Sequence, residues 1–279
     1  MLQQKKMRTV WLGQAIKELR ESARLTTSQV GDHIGKNGST VSRMENGEVS
    51  VPAHILDGII EVCGLTDTHR IADLTTIRRD ATQHGWWDGY RKDVASGLMD
   101  RAWMESKAIK IEAIDITYLP GLLQLPAYAE SLMRLTFPDA SNLEIERWVE
   151  MRTQRQHVIS RHRPVVLHSI IDEQLLRRKP EDTDTMREQL DYLAEVAERP
   201  NVEIRILPCD ICIGAPGSFE LLTLVDPYPQ VGYVATPAGD LCVESDALTD
   251  LTREYARIQQ SCLSPDDSRR LIRSERDKL

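Results

Sequence analysis

The chain has 279 residues, 41% hydrophobic and 28% charged, which is enough apolar material for more than one packed core. No stretch approaches the roughly 20 consecutive apolar residues of a membrane helix, and the opening MLQQKKMRTV lacks the apolar run of an export signal. Five cysteines, an odd number in a large chain, are typical of a reducing cytoplasm rather than a disulfide framework. The composition therefore predicts a cytoplasmic protein of two domains and excludes membrane-spanning and disulfide-stabilised classes.

The charge is unevenly distributed along the chain. Residues 1–24 contain six Lys or Arg against two Asp or Glu, although the whole chain has a net charge of −8. Cations near the N-terminus favour contact with phosphate there, whereas the acidic remainder disfavours non-specific attraction to nucleic acid. Any nucleic-acid binding should therefore depend on base contacts and on the presentation of two copies.

Residues Trp11–Ala23 form the first predicted helix, because Leu12, Ile16 and Leu19 lie on one apolar stripe at helical spacing. Residues 25–47 then predict two short helices joined by a tight turn. The residues that can start and end them are Thr26 or Thr27 with Gln29, Gly35 at the turn, Asn37 or Ser39, and Asn46-Gly47.

The second of these short helices has a small, polar outward face around one long cation, Arg43. Such a face suits a helix in the DNA major groove, where bulky side chains would prevent close approach. Arg43 would read a base edge, guanine above all, or bind a nearby phosphate; the alternative is a solvated surface on a bundle that binds protein. The predicted DNA contacts are Thr27, Asn37, Gly38, Ser39, Thr40, Ser42, Arg43 and Asn46.

The same segment resembles the helix-turn-helix of xenobiotic-response-element and phage-repressor proteins. The matching residues are Leu25, Thr26, Gly35, Ser39-Thr40-Val41-Ser42-Arg43, Glu45 and Gly47. The resemblance implies that Glu45 forms a structural ion pair with Arg20 of the first helix, and a buried carboxylate does need such a partner. Thr27 stands where the family usually has a Gln that touches the DNA backbone, and a Thr hydroxyl has a shorter reach.

Two more helices complete the first predicted domain. Ser50-Val51-Pro52 starts a fourth helix, since Ser50 can cap it and Pro is tolerated in the first turn. Gly64 closes this helix, and a fifth spans about Asp67–Arg79. We therefore predict a mainly α five-helix helix-turn-helix bundle over residues 1–80. Residues 81–107 form a helical linker or junction, in which His84–Tyr90 brings three aromatic residues together with two glycines.

Strands and helices alternate after residue 107, which predicts a C-terminal α+β domain over residues 108–279 with a mostly antiparallel sheet. The predicted strands are 108–118, 164–171, 202–207, 219–225, 231–236 and 241–244. The predicted helices are 126–137, 142–160, 184–199, 247–262 and 266–276.

The order of short motifs in this part of the chain resembles a group of actinobacterial regulators that includes the WhiJ-like proteins. The motifs are Leu119-Pro-Gly-Leu-Leu-Gln124, Arg152-x-x-Arg155-Gln156, Glu173-x-x-Leu176-Arg177, Gln189-Leu190, Asn201-Val202 and Gly217-Ser218-Phe219. The resemblance implies a transcriptional regulator or an antitoxin-like protein, often encoded beside a small partner protein.

A basic helix provides a second candidate site at Arg152, Arg155 and Gln156. These side chains could hold an anionic ligand, an acidic partner segment or DNA that flanks the operator. The alternative is a solvated helix face tied to nearby acids.

Cys209 and Cys212 have the spacing of a metal or dithiol site, but a zinc ion needs four ligands and the sequence offers no convincing second pair. Two cysteines meeting by chance in a turn are the preferred interpretation, so no metal or other cofactor is predicted. No nucleophile motif or general acid–base pair stands out, so no enzymatic activity is predicted either.

The sequence thus predicts a cytoplasmic, sequence-specific transcriptional regulator that binds a double-stranded DNA operator as a homodimer. Its second domain would dimerise and sense a ligand or partner. The alternative is an antitoxin-type protein that neutralises a small neighbouring protein and controls its own operon.

Overall fold

The computed structural model describes residues 6–94, 96–180, 182–211, 217–236 and 239–279. The chain divides into two compact units. The N-terminal unit contains the chain up to Gly89 together with Asp226–Tyr228, and the sheet unit contains Tyr90–Val225 and Pro229–Leu279. No described helix has the length and apolar content needed to cross a membrane.

The N-terminal unit is a bundle of helices, as predicted. Its helices are α1 (Met7–Ser22), α2 (Thr27–His33), α3 (Gly38–Glu45), α4 (Ala53–Val62) and α5 (Thr68–Thr82), and all but the last residue of a short 3-10 helix (Trp86–Tyr90) belongs to it. The core holds Trp11, Leu12, Ile16 and Leu19 of α1, and the apolar faces of α3 and α4 pack with them.

Helix boundaries in this unit follow local capping chemistry. Thr26 forms a capping box with Gln29, and Asn37 and Asp67 cap α3 and α5 through their side chains. The prediction that Ser50 caps the fourth helix was wrong, because α4 begins after Pro52 with no side-chain cap. Pro is well tolerated near a helix start because its missing N–H has no partner to lose there.

A buried polar cluster lies at one end of the N-terminal unit. The Tyr228 hydroxyl donates to Asp80 Oδ2 at 2.7 Å, and Arg8 Nη1 donates to the Asp80 carbonyl oxygen at 3.2 Å. The Tyr228 ring packs beside that of Trp11, with centroids 5.5 Å apart. Burial, and then Asp80, raises the pKa of Tyr228, so the hydroxyl stays protonated and a donor. These contacts make Asp226–Tyr228 a part of this bundle.

The sheet unit has the predicted α+β architecture. Its strands are β1 (Ala108–Asp115), β2 (Val166–Asp172), β3 (Val202–Leu207), β4 (Phe219–Leu224), β5 (Val231–Thr236) and β6 (Gly239–Val243). Its helices are α6 (Ser96–Lys107), α7 (Pro126–Thr136), α8 (Asn142–Arg155), α9 (Thr183–Val196), α10 (Ser245–Gln259) and α11 (Pro265–Asp277). The predicted helix 142–160 ends as an α-helix at Arg155 and continues as the 3-10 turn Gln156–Ile159.

The described strands form one mixed sheet in the order β3-β2-β1-β4-β5-β6. β1, β2 and β3 run parallel, whereas β1–β4, β4–β5 and β5–β6 pair antiparallel, so the sheet is mostly antiparallel as predicted. Parallel neighbours need long crossovers, and helices α7 to α9 supply them between β1, β2 and β3.

The two faces of the sheet differ in chemistry. Ile114, Phe219 and Leu221 belong to an apolar cluster with Tyr255 and Ile258 of α10. Strand alternation turns their neighbours to the opposite face, against α6 and α8, where several charged side chains are enclosed. The first face forms an ordinary apolar core, whereas the opposite face encloses charged side chains that need partners.

Candidate nucleic-acid interface

Helices α2 and α3 form a close pair joined by the turn 34–37. Gly35 has a φ of +66°, a left-handed conformation that favours glycine. A Cβ at Gly31 would lie 2.6 Å from the carbonyl oxygen of Lys36, so a larger residue there would push the turn away from α2. Two glycines therefore set the geometry between the helices.

The start of α3 is fixed by Asn37. Its Oδ1 accepts hydrogen bonds from the Thr40 backbone N–H at 2.8 Å, from Thr40 Oγ1 at 2.6 Å and from Ser39 Oγ at 2.9 Å. One side chain thus caps the helix and orients two hydroxyl groups in its first turn.

The rest of α3 has a buried and an exposed face. Val41, Met44 and Glu45 are buried. The Arg43 side chain is 61% exposed, and its Nε lies 3.7 Å from Glu48 Oε2 in a loose ion pair. Such a pair between exposed groups contributes little stability, so the guanidinium can exchange it for another anion.

The structure places the other predicted contacts around this exposed face. Asn37, Ser39 and Asn46 are exposed, and Gly38, Thr40, Ser42 and Thr27 are partly buried. Thr27 is the first residue of α2, so Thr26 and not Thr27 is the cap.

A buried ion pair lies behind α3. Arg20 Nε donates to Glu45 Oε1 at 2.6 Å and Arg20 Nη2 donates to Glu45 Oε2 at 3.0 Å. Arg20 Nη1 also donates to the Leu25 carbonyl oxygen at 2.9 Å. The hydrogen bond with Glu45 is the main cause that raises the pKa of Arg20. One guanidinium therefore connects α1, α3 and the segment that leads into α2.

Sequence reasoning did not single out Lys36 for this surface. It is exposed and lies in the turn between α2 and α3. A cation in the turn of a helix-turn-helix is the signal that would have found it, because such turns lie close to the phosphate backbone.

The basic residues of α8 are more buried than the sequence predicted. Arg155 is 2% exposed, and its Nε and Nη2 donate to Glu105 Oε2 and Oε1 at 2.8 and 2.6 Å. Arg152 donates to the Gln124 side chain, and Gln156 donates to the Gln124 carbonyl oxygen. Both sequence interpretations, an interaction surface and a solvated face, required these side chains to be exposed to solvent. Arg155 is instead buried, because it pairs with a carboxylate of α6.

These residues belong to a larger buried cluster that the sequence did not reveal. Arg101 of α6 pairs with both Glu105 and Glu220, and its guanidinium lies 4.8 Å from the Tyr233 ring centroid. Asp115 Oδ2 and Glu220 Oε2 are buried without a hydrogen-bond partner in the described part of the chain. Burial, and then Glu220, raises the pKa of Asp115 to about 8. Burial, and then Arg155 and Arg101, lowers the pKa of Arg152 to about 9.

The raised pKa of Asp115 predicts a pH-dependent stability of the sheet unit. A carboxyl group whose folded pKa exceeds its unfolded value binds a proton on folding between those two values. The free energy of unfolding should therefore fall as the pH rises from about 4 to about 8, by up to about 1.4 kcal/mol per pH unit. Urea unfolding at pH 5 and pH 7 measures this difference.

Asp115→Asn should remove that pH dependence, because the amide keeps the shape of the group without the titration. The exposed Asp250, on α10, provides the matched control: Asp250→Asn should keep the wild-type slope. An identical slope in wild type and Asp115→Asn would show that Asp115 does not titrate in this range.

The interpretation that Cys209 and Cys212 meet by chance in a turn remains a prediction. Cys209 is an exposed free thiol, whereas Cys212 lies outside the described residues. Among the described residues, no group of three or more His, Cys, Asp or Glu is arranged to hold a metal ion.

Two family models match the chain. Residues 98–274 match a model described as Domain of unknown function (DUF5753), and residues 11–72 match one described as Helix-turn-helix domain. The second match covers most of α1, all of α2 to α4, the Arg20–Glu45 pair and all the predicted DNA contacts. No curated protein matches the chain.

Proposed function

Because the chain belongs to the DUF5753 family and carries a helix-turn-helix domain ahead of that region, we propose that it is a sequence-specific transcriptional regulator. The helix-turn-helix domain supports a DNA-binding regulator. The finer proposal is a protein of the xenobiotic-response-element type and the WhiJ-like group, whose second domain dimerises and senses a ligand or partner.

The observation that carries this proposal is the construction of α3. Its inner face is locked by Val41, Met44 and the Glu45–Arg20 pair, while its outer face presents Arg43 among small polar side chains. A rigid helix with one exposed long cation can enter a major groove with little ordering cost.

Five of the predicted contacts have a specific role in the proposal. Arg43 donates two hydrogen bonds to O6 and N7 of a guanine, the pairing that its forked guanidinium fits best. Ser39, Thr40 and Ser42 bind base edges or phosphate oxygens. Asn37 uses its Oδ1 for capping, so its amide nitrogen is the part that donates to a phosphate.

Two copies of the chain are expected on the operator. A single recognition helix buries too little surface for useful specificity, and dimeric helix-turn-helix proteins place their half-sites about 34–36 Å apart. The operator should therefore be a near-palindrome with that spacing.

Arg43→Ala is expected to weaken binding to the operator by about 1–3 kcal/mol and to relax the preference at one base position. Selection from a random double-stranded pool with the full-length protein identifies the operator, and fluorescence anisotropy at fixed salt then gives the dissociation constant. The fold should be intact, since Arg43 is exposed.

Arg70→Ala is the matched control, because Arg70 is an exposed arginine of the same unit on α5 rather than α3. It removes the same charge and should change affinity far less. Equal affinity of Arg43→Ala and wild type for the selected operator would remove Arg43 from the interface and contradict the proposal.

A further inference from the structure

A cavity of about 410 Å³ opens in the sheet unit beside the carboxyl ends of β1 and β2. Thr117 and Tyr118 follow β1, Leu175 follows β2, and Tyr128 and Leu132 come from α7. Crevices outside the carboxyl ends of parallel strands are frequent ligand sites in open sheets. Its volume lies in the range of small-molecule sites, about 300–1,000 Å³.

The inner wall of this cavity carries large apolar and aromatic side chains. Tyr128 and Leu175 are buried, at 4% and 1% exposure, and form its inner part. Tyr118 and Leu135 line it too, yet they are 45% and 56% exposed. Large apolar side chains left open around a cavity stabilise a ligand with an apolar body, since its binding removes their surface from water.

The rim of the cavity is cationic. Arg178 and Lys179 both line it and both are exposed. Arg178 Nη1 donates to the Thr117 carbonyl oxygen at 3.2 Å, and no described carboxylate lies within salt-bridge distance of either cation. Most exposed arginines of this unit do pair with an acid, as Arg253, Arg257 and Arg273 show. Two exposed cations that no described carboxylate neutralises, in a chain of net charge −8, favour an anionic ligand.

We infer that this cavity binds a small organic anion, an aromatic or aliphatic carboxylate, sulfonate or phosphate monoester, with its apolar body against Tyr128 and Leu175 and its charge between Arg178 and Lys179. The inference deepens the ligand-sensing part of the proposed function and rests on it. It is tested without DNA, so its failure is distinguishable from a failure of operator binding.

The test uses two fluorescent probes with the same kind of aromatic body. 8-Anilino-1-naphthalenesulfonate has the anionic group, and N-phenyl-1-naphthylamine lacks it. The folded full-length protein should bind the sulfonate at one site per chain. Lys179→Gln and Arg178→Gln should each weaken it by about tenfold, because a hydrogen bond to a charged group contributes about 1.5 kcal/mol. Neither variant should alter binding of the neutral probe.

Thr136→Trp should abolish binding of both probes, because Thr136 is an exposed residue of α7 at the edge of the cavity. Ala127→Trp, at an exposed position of α7 away from the cavity, and Arg163→Gln, an exposed arginine elsewhere in the unit, are the controls. Circular dichroism verifies that every variant is folded.

Three results would overturn the inference. One is the absence of saturable sulfonate binding to the folded protein. Another is binding that Thr136→Trp leaves unchanged, which would place the probe elsewhere. The third is an effect of Lys179→Gln and Arg178→Gln no larger than that of Arg163→Gln.

Discussion

Glu45→Ala is expected to lower the free energy of unfolding of the N-terminal unit by about 3–5 kcal/mol, because it removes the buried carboxylate that accepts two hydrogen bonds from Arg20 and leaves only the exposed Glu21, 3.3 Å from Arg20 Nη2, as a countercharge. The side chains of Arg20 and Glu45 are only 11% and 5% exposed, so water cannot take over the lost interaction. Hydrogen exchange measured by mass spectrometry reports the opening of α1 and α3 separately from the sheet unit. Operator binding should fall as well, since α3 loses its support.

Glu61→Ala is the control for this experiment. Glu61 is 76% exposed and lies 3.7 Å from His33, so its removal should change stability by less than about 0.5 kcal/mol. A double variant, Arg20→Met with Glu45→Leu, should recover part of the loss because no charge is stranded. Unchanged exchange in Glu45→Ala would show that the pair does not stabilise the fold.

The N-terminal unit was predictable because its signals are local. Thr26 with Gln29, Gly35 and Asn37 each act on residues at most four positions away, so the short sequence pattern is enough to predict where the helices begin and end. The ion pair between Arg20 and Glu45 could not be predicted from local patterns, because the two residues lie 25 positions apart. It was predicted from the family resemblance. The DNA contacts of α3 stay predictions that the experiment with Arg43 tests.

The sheet unit was predictable in its class and less so in its interior. Alternation of apolar residues gives the strands, but it does not give the parallel pairing of β1, β2 and β3, which depends on crossovers of 50 residues or fewer packing against the sheet. The cavity beside β1 and β2 was missed for the same reason, since its walls come from segments far apart in the sequence.

The main feature that the sequence did not predict is the burial of charged side chains in the sheet unit. A run of arginines on an amphipathic helix is usually a solvated face, and nothing near Arg155 in the sequence marks it as different. Its partner Glu105 lies 50 positions earlier, on a helix assigned to a linker. Asp115 and Glu220 lie on neighbouring strands whose apolar and polar residues alternate in the usual way. That both carboxylates are buried on the same face can be seen only once the pairing of the two strands is known.

Glu105→Ala should be as damaging to the sheet unit as Glu45→Ala is to the N-terminal one. Glu105 is fully buried and forms ion pairs with both Arg155 and Arg101. Its removal leaves Arg101 with Glu220 but leaves Arg155 without an acidic partner among the described residues, while Arg152 nearby repels both guanidinium groups. We expect a loss of about 3–5 kcal/mol, the cost of breaking a buried pair from one side, measured by hydrogen exchange in α6, α8 and β1.

Two further variants separate the loss of charge from the loss of packing. Glu146→Ala removes an exposed glutamate of α8 and should change exchange little. Glu105→Leu combined with Arg155→Leu removes both charges of the most deeply buried pair and should be more stable than Glu105→Ala alone, since apolar replacements of a buried pair are often neutral. If the double variant is instead the less stable of the two, the remaining Arg101 and Glu220 depend on that pair for their geometry, and the cluster acts as one cooperative unit that holds α6 and α8 on the sheet.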